Sequence, residues 1–290
     1  MTKRKITFIV NPISGNRKQK DIEISLNRSL NKEIFDFEII YTTHKGHATE
    51  LAALAYMNSA LVVAVGGDGT INEVSKMLIG KDVPLGIIPT GSGNGFARHW
   101  GISRNMDKAI QVINNFNIVR SDTASLNEKL FITTSGCGFD AHIAALFDKS
   151  AKRGFITYAK LVLKEFLRYK SLNYFITIDN IEYKKNAFLI TVANCSQFGN
   201  NAYISPMAIS NDGILNITML KPFPLTAAPG IIFKLFTKQL HKSKFVETFQ
   251  GKKIQIEHES ENAHIDGEAI SPGKKLTILV HHHSLNIIVP

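Results

Sequence analysis

Along the first hundred residues, short apolar runs alternate with amphipathic stretches. Ile6-Thr7-Phe8-Ile9-Val10 predicts a strand that stops at Asn11-Pro12, and Asp21 to Leu30 predicts a helix. Phe35 to Tyr41 reads as a strand, His47 to Met57 as a helix, and Leu61-Val62-Val63-Ala64-Val65 as a strand with no polar alternation. Continuous apolar runs of that kind mark parallel strands covered on both faces. Thr70 to Ile79 predicts a helix, Pro84 to Pro89 a strand, and another helix opens near Asn94. Strand and helix in alternation predict a Rossmann-like parallel sheet.

After about Val119 the pattern changes. Strand-like runs cover Lys129 to Thr134, Tyr174 to Ile178, Ala187 to Ala193, Ile214 to Leu220, Lys253 to Glu257 and Leu276 to Val280, interrupted by a basic helix over 154–169. Frequent strands with few helices predict an antiparallel β-sandwich. The chain thus reads as α/β plus β: a nucleotide-binding catalytic domain over 1–125, to which the final strand over 281–290 can return, and a β-rich substrate domain over 126–280.

Composition narrows the class. The 290 residues are 44% apolar and 20% charged, which excludes a disordered chain. No apolar run reaches the roughly 18 residues of a spanning helix, and the apolar run after Lys5 is too short for a signal peptide. Two cysteines, Cys137 and Cys195, form neither a disulfide framework nor a four-ligand zinc site by themselves. These features predict a cytoplasmic protein. His281-His282-His283 reads as solvated strand residues rather than a metal site.

Lysine plus arginine number 34 against 24 acids, a net charge of +10 that favours an anionic partner. The charge is concentrated. Lys149, Lys152, Arg153, Lys160, Lys164, Arg168 and Lys170 interleave with Phe155, Tyr158, Leu161, Val162, Phe166 and Leu167; a second such stretch runs from Ile231 to Phe245. Basic residues among large apolar ones suit a helix lying on anionic headgroups, or a core-facing helix with a solvated basic face. No nucleic-acid-binding motif accompanies the charge, so nucleic acid is not expected as a partner.

Three of the predicted strands end in turns that can carry chemistry: Asn11-Pro12-Ile13-Ser14-Gly15, Gly66-Gly67-Asp68-Gly69-Thr70-Ile71-Asn72-Glu73, and Pro89-Thr90-Gly91-Ser92-Gly93-Asn94-Gly95. In a parallel sheet all three emerge at the carboxyl edge, where ligands bind. Glycine lets backbone N–H groups approach phosphate oxygens, and the helix N-termini that follow add partial positive charge. No Walker-type G-x-x-x-x-G-K-[ST] occurs. Gly136-Cys137-Gly138-Phe139-Asp140-Ala141 fits the dinucleotide pattern but lies in the β-rich half without a βαβ context.

GGDGTINEV, preceded by NPISG and followed by PTGSGNGFAR, resembles the catalytic domain of diacylglycerol kinases, sphingosine kinases and bacterial lipid kinases. The similarity continues through Ser121-Asp122, GCGFDA at 136–141, Ser210-Asn211-Asp212-Gly213 and Ile265-Asp266-Gly267-Glu268, covering nearly the whole chain. The resemblance implies Mg²⁺- and ATP-dependent phosphorylation of a lipid hydroxyl at a membrane surface, by a cytoplasmic, peripherally associated enzyme. The acceptor it implies is diacylglycerol or a sphingoid-like lipid. The same GGDG core occurs in NAD kinases, so a soluble acceptor is the competing expectation, and a non-catalytic nucleotide or lipid sensor a third.

By motif position, the resemblance assigns ATP binding to Asn11, Pro12, Ile13, Ser14, Gly15, Thr42, Gly66, Gly67, Asp68, Gly69, Thr70, Ile71, Asn72, Glu73, Gly91 and Ser92. Asp68 would hold the nucleotide's Mg²⁺ or order its waters, or else cap the following helix. The general base would be Glu268 or Asp266, whose separation alone does not choose between them; without the resemblance, Asp-Gly here is a hairpin turn. A structural Mg²⁺ is implied at Asp212 with the carbonyls of Ile209 and Ile214. Asp140 would either bond an acceptor headgroup or cap a helix starting near His142. Gly95 stands where many bacterial members carry Asp, which removes an acid from a network with Asp68 and Asp122.

Overall fold

The computed structural model describes residues 3–14, 21–148, 155–166 and 168–290. Gly15, and Lys149, Lys152, Arg153 and Leu167 of the first basic stretch, lie outside the described residues. The chain divides into two compact units, residues 1–122 with 283–290, and residues 123–282.

In the first unit the elements run β1 (Arg4–Val10), α1 (Ile22–Ser29), β2 (Phe35–Tyr41), α2 (His47–Ala55), β3 (Leu61–Gly66), α3 (Asp68–Leu78), β4 (Leu85–Pro89), α4 (Gly95–His99), α5 (Met106–Asn115) and the first part of β5 (Ile118–Leu126). The sheet order β2-β1-β3-β4 is parallel throughout, with Ile6 opposite both Phe37 and Leu61, and Val62 opposite Leu85. All six residues of β3 and all five of β4 are buried, which is why neither shows polar alternation. Residues 283–290 close the unit: Ile287 pairs with Leu85, and the N–H of Val289 reaches the carbonyl of Asn117 at 3.0 Å.

The second unit begins within β5 and continues through β6 (Lys129–Phe131), β7 (Thr134–Gly138), α6 (Phe139–Asp148), α7 (Phe155–Phe166), β8 (Leu172–Ile178), β9 (Ile181–Ala187), β10 (Leu189–Ala193), β11 (Leu215–Leu220), α8 (Ala228–Phe236), β12 (Val246–Gly251), β13 (Lys253–His258), β14 (Ala263–Ile265), β15 (Glu268–Ile270) and β16 (Lys275–Ile288), whose last residues belong to the first unit. One antiparallel sheet has the order β12-β11-β10-β7-β14-β15; in the other, β9, β8, β13 and residues 275–279 of β16 pair in turn. Their inner faces share one core. Ile190, Val192, Ile217 and Met219 from the first sheet pack with Tyr174, Ile176, Ile254, Ile256 and Ile278 from the second. That is sandwich packing. β7 is antiparallel to both β10 and β14, so the GCGFDA segment has no parallel-sheet context.

A smaller cluster, including Phe139, Phe188, Leu220 and Val246, packs against Leu161, Val162 and Phe166 of α7 and Leu235 of α8. No helix among the described residues is long and apolar enough to cross a membrane. Two helices start earlier than their apolar periodicity predicts: α3 at Asp68 rather than Thr70, and α6 at Phe139 rather than near His142. Gly67, not Asp68, is the N-cap of α3, so the capping alternative for Asp68 does not hold there.

Burial pulls the imidazole of His99, at the end of α4, down to about 4 from 6.5. The unfolded chain binds that proton more tightly, so the contribution to stability is complete above about pH 6.5 and is lost as pH falls toward 4. Acid titration of the unfolding free energy should lose on the order of 3 kcal/mol over that window, and a His99→Gln variant should lose correspondingly less.

Candidate functional site

The carboxyl edge of the parallel sheet brings four turns side by side, after β2, β1, β3 and β4. The first three are tied by short-range bonds. The N–H of Thr42, a buried residue, donates to the carbonyl of Val10 at 2.9 Å; the N–H of Asn11 donates to that of Val65 at 3.0 Å; and Asn11 Nδ2 donates to Thr70 Oγ1 at 3.1 Å. Asn11 Oδ1 accepts from the N–H of Ile13 at 3.1 Å, an Asx turn that leaves Ile13 85% exposed beside the edge. Ser14 Oγ lies 2.7 Å from Thr90 Oγ1, which joins the first turn to the last. Glu73 ties in the turn after β2: its carboxylate accepts from the N–H groups of Gly46 at 3.0 Å and Ala48 at 3.2 Å, at the start of α2.

Asp68 is the centre of this arrangement. Its Oδ2 accepts from the N–H of Asn94 and its Oδ1 from the N–H of Gly95, both at 2.7 Å, so the carboxylate of the third turn holds the N-terminus of α4. The negative charge there is complemented by the helix end. Gly95 serves here through its backbone N–H. Asp122 is fully buried, and its Oδ1 accepts from the N–H of His283 at 2.7 Å.

The glycines divide into two kinds. A Cβ on Gly91 would lie 2.6 Å from the Cα of Gly67, one on Gly66 2.4 Å from Thr70 side-chain atoms, and one on Gly93 2.7 Å from Asp68 Oδ2. The protein itself requires these three to be glycine. Gly69, exposed in the first turn of α3, is different: a Cβ there would meet no protein atom within 4 Å, and its backbone is ordinary for any residue. Packing gives no reason for glycine at this position, whereas an anion seated on the N–H groups of the turn would.

Of the residues expected at the nucleotide, Asn11, Ser14, Thr42, Gly66, Gly67, Asp68, Gly69, Thr70, Glu73 and Gly91 stand together at this edge, with Pro12, Ile13 and Ser92 exposed beside them. Ile71 and Asn72 are buried in α3, where they support the turn from behind. Two arginines not singled out from the sequence belong to the site: Arg98, at the end of PTGSGNGFAR, donates from Nε to the carbonyl of Gly93 at 3.0 Å, and Arg104, outside any motif, from Nη2 to that of Gly91 at 3.2 Å. Asn94, left-handed at φ 53°, donates from Nδ2 to the carbonyl of Gly91 at 2.6 Å.

In the second unit the β14–β15 hairpin carries both candidate bases. Asp266 and Gly267 are the two turn residues, at φ 50° and 83°, which suits an Asp-Gly pair. The Asp266 carboxylate accepts from the N–H groups of Ile132 (3.1 Å), Thr133 (2.8 Å) and Thr134 (3.1 Å), and from the Thr133 hydroxyl in a very short bond. Burial pushes its carboxyl above the ordinary range, against the pull of these four donors. Glu268, at the start of β15, is exposed. Asp266 therefore fastens the hairpin to the bend between β6 and β7 and to the first residue of β7. Asp266→Asn turns one acceptor into a donor facing N–H groups and should lower unfolding stability by about 2–3 kcal/mol, read by urea titration of the second unit's signal.

Asp140 sits in the first turn of α6. Its Oδ1 accepts from the N–H of Ala141 at 2.8 Å, and its Oδ2 accepts from Thr191 Oγ1 at 2.9 Å and lies 3.0 Å from His264 Nε2. Burial pushes the thiols of Cys137 and Cys195 up, so neither is a nucleophile at neutral pH.

At the Asp212-Gly213 turn, Asp212 Oδ1 accepts from the N–H of Ile214 at 3.0 Å, and Gly213 is left-handed at φ 73°. The exposed Asp212 carboxylate opens on a cavity of about 480 Å³ also lined by Lys252, Lys253, His281 and His282. A structural Mg²⁺ at this turn would draw on the Asp212 carboxylate and the carbonyls of Ile209 and Ile214, oxygen donors of the kind a hard cation takes while keeping most of its water.

Comparison with known proteins agrees with this geometry. The diacylglycerol kinase catalytic domain family matches residues 5–126, and the YegS C-terminal NAD kinase beta sandwich-like domain matches residues 133–289. A protein of Citrobacter koseri named "Probable lipid kinase YegS-like" is 31% identical over 270 residues, covering 90% of this chain and 89% of that one. A Mycobacterium tuberculosis protein named "Diacylglycerol kinase" is 27% identical over 281 residues, covering 92% and 90%. The crystal structure of a diacylglycerol kinase of Bacillus anthracis shares the fold, with a TM-score of 0.78 at 23% identity, over 100% of this chain and 98% of that one. The chain belongs to the diacylglycerol kinase catalytic-domain family, in its bacterial YegS-like lipid kinase branch.

Proposed function

We propose that the chain transfers the γ-phosphate of ATP to the hydroxyl of a lipid, of the diacylglycerol or sphingoid type, at the cytoplasmic face of an anionic membrane. The observation that carries this reading is Gly69: a glycine that packing does not require, in a turn otherwise packed to contact, at a helix N-terminus on the carboxyl edge. Asn11, Ser14 and Thr42 border the nucleotide; the N–H groups of Gly67 to Thr70 receive phosphate oxygens; and Arg98 and Arg104 brace the turn that ends in Gly95. Asp68, with both oxygens accepting backbone bonds, orders water around the metal more readily than it sheds those bonds to ligate it.

Mg²⁺, when bound, neutralises phosphate charge and aligns the transferred group. Glu268 accepts the acceptor hydroxyl's proton: it is a solvent-exposed residue of the hairpin, whereas the Asp266 carboxylate already accepts from three backbone N–H groups and a hydroxyl. Asp212, with the carbonyls of Ile209 and Ile214, holds a second, structural Mg²⁺. The names of the relatives support a lipid as the acceptor. An acceptor panel in mixed micelles tests this: diacylglycerol, a sphingoid base and phosphatidylglycerol, with NAD as soluble control. Phosphorylation of one of the lipids is expected, and phosphorylation of NAD alone would overturn the assignment.

A further inference from the structure

Helix α8 is apolar on both of its long edges. One edge faces the core: Ile231 is buried, and Leu235 packs against the cluster of Phe139, Phe188 and Leu220. On the other, Pro229, Ile232, Phe233 and Phe236 follow the i, i+3, i+4, i+7 spacing of a single helical face. Ile232 is 55% exposed, Phe233 65% and Phe236 46%, and Leu225 in the helical turn just before is 59% exposed. A helix at the surface of a globular unit ordinarily turns polar groups outward there. Four large apolar side chains within twelve residues are instead exposed, Ile232, Phe233 and Phe236 on one helical face, the kind of feature that marks an interaction site.

The charge around the patch identifies its occupant. Residues 222–246 contain four lysines, Lys234, Lys238, Lys242 and Lys244, and no Asp or Glu, while Lys221 just before them pairs with Glu247 just after at 3.3 Å. Lys238, Lys242 and Lys244 are exposed, and Lys238 Nζ stands 4.7 Å from the centre of the Tyr203 ring. A second copy of the chain meeting this face symmetrically would set the same lysines against one another. A surface that is apolar below and anionic above complements it. Helix α7 packs against the same cluster through Leu161, Val162 and Phe166, and it exposes Lys160, Leu163 and Lys164.

We infer that Leu225, Ile232, Phe233 and Phe236 insert at the headgroup–acyl boundary of an anionic bilayer, with Lys238, Lys242 and Lys244 against its phosphates. The inference deepens the lipid-kinase reading by naming the face that anchors the enzyme, and it rests on that reading only for its purpose. The test is flotation with vesicles of phosphatidylglycerol and phosphatidylcholine, or of phosphatidylcholine alone, without nucleotide. The wild type should float with the anionic vesicles and be released by salt, which screens exposed charge. The Ile232→Ser/Phe233→Ser/Phe236→Ser variant should partition at least about tenfold more weakly, since burying even one such side chain is worth that factor. Its thermal midpoint should stay within a few degrees of the wild type, because the replaced side chains point outward.

Lys238→Glu/Lys242→Glu/Lys244→Glu should lose the preference for anionic vesicles. Phe233→Trp should show blue-shifted emission that brominated lipid quenches. Flotation of the triple serine variant equal to wild type, a Phe233→Trp spectrum unchanged by vesicles, or a dimer that the serine substitutions dissociate would overturn the inference. Transfer to a water-soluble short-chain diacylglycerol should be unchanged in the serine variant. If the wild type phosphorylates neither a short-chain diacylglycerol nor a short-chain sphingoid base, the kinase reading fails while flotation still reports on the anchor.

Discussion

Glu268→Gln should lower turnover by about 10² to 10⁴ while leaving the affinity for MgATP unchanged. Removal of a positioned general base costs that much when proton transfer accompanies attack. The substitution keeps the size and polarity of the side chain and removes its charge and its ability to take a proton. Because Glu268 is exposed at the start of β15 and the nucleotide is assigned to the first unit, neither folding nor ATP binding should respond. Turnover under saturating lipid, set beside calorimetric MgATP binding, measures the two effects separately. Asp266→Asn should behave in the opposite sense, with a loss of stability at its centre, because its carboxylate is held by Ile132, Thr133 and Thr134. If Glu268→Gln turned over like wild type and Asp266→Asn were stable but dead, the two roles would have to be exchanged.

The second large effect separates the glycines of the phosphate edge. Gly91→Ala drives a methyl group to 2.6 Å from the Cα of Gly67 and 2.9 Å from Asn94 Oδ1. The first of these is backbone in a fixed turn, so the turns after β3 and β4 must part. That should lower stability by about 1–3 kcal/mol and weaken MgATP binding by at least about tenfold. Gly69→Ala should leave the fold as stable as before or firmer by up to about 1 kcal/mol, because alanine is the better helix former and nothing stands within 4 Å. Yet it too should weaken MgATP binding about tenfold or more, because the methyl group occupies the place of a phosphate oxygen. Chemical denaturation and nucleotide titration of both variants check this. A Gly69→Ala protein that bound MgATP normally would remove the phosphates from that turn.

The parallel half was legible because burial on both faces writes itself as unbroken apolar runs: β2 was readable to its end residues, and β3 and β4 to within one. β5 was not, because Ser121, Asp122 and Thr123 interrupt its pattern; these residues are fully buried, and Asp122 meets a backbone N–H from a strand 161 positions away. No local rule announces such a partner. The β14–β15 hairpin shows the reverse. Its strands are too short to read by alternation, while its Asp-Gly turn was readable from turn chemistry alone.

The same distinction governs the site. The turn glycines and Asp68 could be singled out from their clustering, but what Asp68 does, holding the N-terminus of α4, depends on a neighbour 26 residues on. Arg98 closes the PTGSGNGFAR segment, but its bond to the carbonyl of Gly93 is not legible there; Arg104 and Thr133 have no motif of their own, Arg104 reaching the carbonyl of Gly91 and Thr133 the carboxylate of Asp266, 133 positions away. Thr133 is placed by the hairpin that Asp266 fastens, which only the folded sandwich reveals.

The proposed reaction passes one phosphate from ATP to a lipid hydroxyl. A single-turnover reaction with γ-labelled ATP, Mg²⁺ and the preferred lipid in mixed micelles, quenched and extracted into organic solvent, measures it most directly. One labelled phosphomonoester of the lipid should form for each ATP consumed, with the wild type and not with Glu268→Gln on the same time scale. ADP and inorganic phosphate released with no labelled lipid, or label recovered only on NAD, would contradict it.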